Sequence, residues 1–175
     1  MSRECRVRTR SPGHNEKWRI LHREGKVSWR GETETSVNDR ECLERFGLQP
    51  SAGELGEIRR LLIVEVERED NSEEGDDDLI KLLCVQLFNA GNLQDTLLIW
   101  QAKTSSFDNS IGVEVQLLCG NGLWATKEYL KALEDPEAKD ALAYIQECEA
   151  TGDFEQFAPG DQSESYACYY GDVAD

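Results

Sequence analysis

The side chains that could act as nucleophiles or as general acids and bases are few, and the sequence keeps them far apart. The two histidines, His14 and His22, both lie in a basic N-terminal segment. A Cys–His or similar site would have to combine His22 or Cys42 with an orienting carboxylate. The sequence contains no Walker motif, no Gly-x-Ser-x-Gly and no His-Glu-x-x-His. We therefore predict a protein that is not an enzyme. The alternative is a small hydrolase or transferase with a site between the N-terminal region and the helices.

Metal and cofactor chemistry is also not predicted. Counted from Asp70 as position 1, an acidic run places Gly75 where a calcium loop needs its glycine, but position 12 is Lys81. A bidentate Glu is required at that position, and a cation there opposes calcium. The six cysteines are scattered and form no Cys-x-x-Cys pair, so a zinc site is not indicated.

The charge of the chain favours one class of partner. The formal net charge is −16, with +6 on residues 1–30 and −22 on the remainder. A body of that charge repels nucleic acid and anionic lipid and attracts basic proteins. No apolar run approaches the length of a membrane-spanning helix, and no secretory signal follows the first arginines. We predict a cytoplasmic protein whose partner is another, basic protein; the oligomeric state stays open.

Four residues form the predicted partner-binding site. Residues 103–108 read as a polar loop between two helices, and such loops often carry binding residues in helical repeats. Phe107 would be exposed there, between the opposite charges of Lys103 and Asp108, with Trp100 on the preceding helix. In the alternative interpretation Phe107 packs inward, Asp108 caps the next helix and Trp100 belongs to the core.

Helix signals fill most of the chain after residue 37. Asn38 is the predicted N-cap of a helix ending before Gly47, and Ser51 with Glu54 has the form of a capping box. The β-branched residues that follow leave residues 55–66 open between helix and strand. The other predicted helices cover residues 79–90 (capped by Asp78), 93–104 (capped by Asn92), 110–119, 123–133 and 136–150.

Three glycine turns recur at a nearly constant interval. Leu93, Leu123 and Phe154 each follow such a turn, at spacings of 30 and 31 residues. The interval is similar to that of ankyrin and tetratricopeptide repeats, whose diagnostic motifs are absent. Hairpins of this length bury their apolar faces by stacking. We predict a mainly α fold with an α-solenoid-like stack of helical hairpins; an irregular helical bundle or an α+β fold are the alternatives.

The predicted organisation has four parts. Residues 1–13 form a disordered basic arm, and residues 14–68 form a small β-hairpin followed by helices. Residues 69–78 are an acidic linker. Residues 79–175 are the helical repeat domain, closed by an aromatic C-terminal cap.

Overall fold

A computed structural model describes residues 37–70 and 75–173, and no strand occurs in those two ranges. The predicted mainly α fold is confirmed. The predicted basic arm and β-hairpin lie outside the described residues, as does part of the acidic linker. The described helices are α1 (Asp39–Phe46), α2 (Leu55–Asp70), α3 (Asp77–Ala90), α4 (Thr96–Ser105), α5 (Phe107–Gly112), α6 (Leu123–Ala132), α7 (Pro136–Thr151) and α8 (Pro159–Val173), with 3-10 helices at Leu93–Asp95 and Val115–Cys119.

Several helix ends lie where the sequence predicts them. Asn38 Oδ1 accepts from the Glu41 amide at 2.9 Å and completes a capping box at the start of α1. Gly91 and Gly152 end α3 and α7 in the left-handed conformation, with φ of 65° and 96°. Pro136 occupies the first turn of α7. Local capping chemistry therefore fixes these boundaries.

Residues 55–66 are helical. Ile58, Leu62 and Val66 recur every four residues and are all buried. That period matches one face of a helix, so packing outweighs the strand preference of the β-branched residues. Just before α2, the Glu54 carboxylate accepts hydrogen bonds from both the amide and the hydroxyl of Ser51, at 2.8 and 2.7 Å.

Three predicted boundaries are wrong. Helix α3 begins two residues early, because Asp76 rather than Asp78 caps it by accepting from the Leu79 amide. Asn92 makes no side-chain cap, and the chain after it enters α4 through a 3-10 turn. Residues 103–108 are not a loop, since α4 continues to Ser105 and α5 already begins at Phe107.

Helix α3 lies at the centre of the core. Nine of its residues are buried, including Leu79, Cys84 and Phe88. Helices α1, α2, α4, α5 and α8 all pack against it. The C-terminal helix returns to α3 across a long sequence separation, where the ring of Tyr166 meets that of Phe88 edge-on at 6.5 Å.

The middle glycine turn differs from the other two. Gly120 is right-handed, whereas Gly122 has a φ of 88° and precedes α6. A Cβ on Gly120 would lie 2.3 Å from the Phe88 carbonyl oxygen, so close backbone approach is what requires glycine there. The side-chain amide of the neighbouring Asn121 donates to the Gly91 carbonyl, and this hydrogen bond joins the first two glycine turns directly.

Candidate functional site

The four predicted binding residues divide into two buried and two exposed. Phe107 is 70% exposed, and Asp108 is also exposed. Trp100 is buried with its ring centre 5.4 Å from that of Tyr144, and Lys103 is 3% exposed. Trp100 and Lys103 therefore have almost no exposed surface, and for Trp100 this agrees with the alternative interpretation that places it in the core. Their role in partner binding stays a prediction.

Lys103 instead supports the helix that presents Phe107. Its ammonium group donates to the carbonyls of Ser110 and Val113, both at 2.6 Å. These carbonyls lie at the C-terminal end of α5, where helix carbonyls lack partners within the helix and a cation is favoured. The same ammonium group lies 5.5 Å from the centre of the Tyr144 ring. Lys103 thus ties α5 to α4 and to α7.

Helix α5 carries an apolar pair on one side. Ser106 caps the helix by accepting from the Asn109 amide at 3.1 Å, so Phe107 begins its first turn. Ile111 lies four residues later and is 55% exposed. Residues four apart share a helix face, so Phe107 and Ile111 form one exposed apolar strip.

Carboxylates gather beside this strip. Although Asp77 is exposed, its partial desolvation raises its pKa above the usual value, and the charges of Asp108, Asp78 and Asp76 raise it further. Asp77 and Asp78 lie in the first turn of α3, and Asp108 in the first turn of α5. Like charges held this close raise the cost of ionisation, and an approaching cation would relieve it.

The C-terminal helix extends the same surface. Asp77 and Lys81 are one helical turn apart on α3, and the Lys81 ammonium lies 5.5 Å from the centre of the Tyr169 ring. Tyr169 is 54% exposed. We call the surface formed by Phe107, Asp108, Ile111, Asp77, Lys81 and Tyr169 the three-helix face.

The first described residues also lie at this end of the molecule. Burial raises the pKa of Tyr170, and the charges of Tyr169, Asp78 and Asp39 raise it further. Asp39 is the first residue of α1. Carboxylates from α1 and α3 therefore lie near the end of α8.

Of the residues on this face, the sequence points to Phe107 and Asp108 but not to Ile111, Asp77, Lys81 and Tyr169, and the binding role of Phe107 and Asp108 stays a prediction. The four-residue spacing of Asp77 and Lys81 indicates that these two side chains share one face of a helix. Nothing local indicates that α5 and α8 flank the same turn of α3, because their residues are about sixty apart along the chain.

The cysteine considered for catalysis is not suited to it. Cys42 is fully buried and its thiol donates to Gln86 Oε1 at 3.7 Å. Burial raises its pKa to about 11, so the thiol stays protonated at neutral pH, whereas the thiolate is the nucleophile. His22 lies outside the described residues. Within residues 37–70 and 75–173, no three His, Cys, Asp or Glu side chains are grouped to hold a metal ion.

No helix in the described part of the chain is both long and apolar enough to cross a membrane. A scan against protein-family models and searches of curated proteins and solved structures found no match to this chain.

Proposed function

We propose that this protein is a non-catalytic binding module that recognises a basic protein segment through the three-helix face. The observation that supports this most directly is the exposed strip of Phe107 and Ile111 next to the carboxylates of Asp77 and Asp108. Apolar contact would supply the free energy of binding, and the carboxylates would select partners by charge.

The apolar strip supports the proposal because its helix is firmly held. Lys103 and Ser106 fix the two ends of α5 through the hydrogen bonds described above. A side chain presented on a rigid element loses little conformational entropy when a partner covers it. Phe107 is thus suited to act as an anchor that enters a recess on the partner.

The charges support a basic partner. Within the described residues, Lys81 is the cation of the three-helix face, and it already lies over the Tyr169 ring. Asp77 and Asp108 repel each other, so a partner's Lys or Arg would gain from both. Acidic or nucleic acid partners would meet repulsion at the same place.

We also propose that the helices after residue 79 are related as stacked hairpins. Thr96 and Thr126 coincide when the chain is shifted by 30 residues, and both lie against the Leu118 carbonyl. Thr96 donates to it at 3.3 Å, and the Thr126 hydroxyl, which donates to the Gly122 carbonyl at 3.1 Å, lies 3.5 Å from it. Asn121 links the second glycine turn to Gly91 in the first. Contacts between equivalent positions of successive units are what a repeat stack requires.

A cytoplasmic setting is part of the same proposal. All five cysteines in the described residues are free thiols, and four of them are buried. Free thiols are typical of proteins kept in a reducing compartment.

The proposal is tested with a short amphipathic peptide of Lys and Leu as the probe and its Glu–Leu counterpart as the charge control. Fluorescence anisotropy of each labelled peptide, titrated with the full chain, should show that the Lys–Leu peptide binds and that the Glu–Leu peptide does not. Phe107→Ser should weaken it by about tenfold, the loss of one buried anchor. Binding should also weaken as salt rises from about 50 to about 500 mM.

Trp124→Ser is the matched control. Trp124 is 74% exposed and Phe107 is 70% exposed, so the two aromatic side chains are similarly accessible. Trp124 lies on α6, which is not one of the helices of the three-helix face. This change should leave the affinity within about twofold. Equal losses in the two variants, or equal binding of both peptides, would refute the three-helix face as the binding site.

A further inference from the structure

The basic N-terminal segment of this chain has the chemistry that the three-helix face selects. Residues 1–30 carry nine Lys or Arg and three Glu, against a net −22 on the rest of the chain. Lys17, Trp18, Arg19, Ile20 and Leu21 place apolar side chains directly beside cations. That combination complements an apolar strip bordered by carboxylates.

The point of attachment favours the same contact. The described chain begins at Val37, two residues before Asp39, whose charge acts on Tyr170 at the end of α8. Tyr169, the adjacent residue, belongs to the three-helix face. The basic segment is thus tethered at the acidic end of the molecule.

Reach does not limit the contact. Residues 31–36 alone span up to about 20 Å when extended, which exceeds the radius of gyration of about 16 Å for a folded chain of 175 residues. A tether of this kind gives an effective concentration in the millimolar range. Even a weak contact would then be populated.

We propose that residues 1–30 dock on the three-helix face of their own chain and compete there with a basic partner. This inference rests on the proposed function, because it assigns a regulator to the same surface. A partner must displace the segment before it binds. Any event that weakens the segment's positive charge would open the face.

Docking can be measured in the full chain with a nitroxide on Cys5. Cys168→Ser removes the exposed cysteine of α8, and the other described cysteines are buried, so the label goes to Cys5. The nitroxide should broaden the amide signals of Phe107 and Asp108. The amide of Asn121, beside the glycine turns, should stay sharp.

Two charge variants make this result specific. Neutralising Asp77, Asp78 and Asp108 to Asn should abolish most of the broadening. The control variant removes three negative charges from exposed positions in and beside α7, by Glu134→Gln, Asp140→Asn and Glu147→Gln. It should leave the broadening unchanged. Absent broadening, or equal loss in both variants, would overturn the inference.

A titration separates this inference from the proposed function. Replacing Arg3, Arg6, Arg8, Lys17 and Arg19 with Gln should raise the affinity of the full chain for the Lys–Leu peptide by about tenfold or more. An unchanged affinity would overturn competition and leave the binding function standing. If the peptide binds neither chain, the proposed function fails, while the nitroxide result still decides whether the segment docks.

Discussion

At the scale of single residues, the buried cation of Lys103 holds in place the helix that carries the exposed apolar strip. A lysine is rarely buried without partners, because an unpaired ammonium group is costly to remove from water. Lys103 satisfies this requirement with the carbonyls of Ser110 and Val113 and with the Tyr144 ring. Its charge completes the end of a short helix that has too few internal hydrogen bonds to be stable alone.

Lys103→Met should therefore destabilise the protein. The substitution keeps most of the aliphatic stem but leaves one buried and one part-buried carbonyl without their donor, at an expected cost of about 2–4 kcal/mol. Denaturation in urea, followed by circular dichroism, measures the change.

The control for this prediction is Lys139→Met. Lys139 is exposed on α7, and its loss should change the free energy of unfolding by less than about 0.5 kcal/mol. Equal effects of the two substitutions would show that the Lys103 contacts contribute nothing.

At the scale of elements, the helix ends fixed by local caps were predictable, whereas other helix ends and the contacts between helices were not. Asn38, Gly91, Pro136 and Gly152 act on their own backbone neighbours, so the sequence reports them. The start of helix α5 was missed, because a short polar segment has the same composition whether or not a buried lysine donates to the last carbonyls of the helix. The three-helix face could not be predicted as a whole, since it depends on which helices pack side by side.

Gly120 is a residue whose structural role is not evident from the sequence. The glycine reads as a helix terminator, yet its conformation is right-handed and any residue could adopt it. Glycine is required at this position because the Phe88 carbonyl oxygen of α3 occupies the space that a Cβ on residue 120 would need.

Gly120→Ala should destabilise the protein by about 1–3 kcal/mol, because two backbone segments must move apart. The matched control is Gly56→Ala in α2, where no atom lies within 4 Å of an added Cβ. That change should stabilise the protein by about 0.5–1 kcal/mol through helix propensity. Thermal unfolding of both variants measures the difference; a stabilising Gly120→Ala would contradict the close approach.

At the scale of the whole molecule, the C-terminal helix closes the structure. Glu114, between α5 and the second 3-10 helix, accepts hydrogen bonds from Gln162 and from the Tyr166 hydroxyl. Burial, followed by the Glu114 carboxylate, raises the pKa of Tyr166 well above its usual value of 10.0. The phenol therefore stays protonated in the fold at a pH where it ionises in the unfolded chain.

The stability of the protein should consequently fall as the pH rises above about 10, because the folded state then binds more protons than the unfolded state. Tyr166→Phe removes this group, so its free energy of unfolding should fall less between about pH 9 and about pH 11. Urea denaturation at both pH values compares the slopes. Equal slopes for the two proteins would show that Tyr166 is not buried against Glu114.

The return of α8 onto α3 also has a consequence for synthesis of the chain. Ser163 donates to Asn89 at 2.6 Å across 74 residues of sequence. A ribosome makes the central helix long before the helix that covers Phe88, so the growing chain exposes an apolar side of α3 until α8 has been synthesised. Chains that end before α8 would retain that exposed surface, and their fate would be aggregation or degradation instead of a smaller working protein.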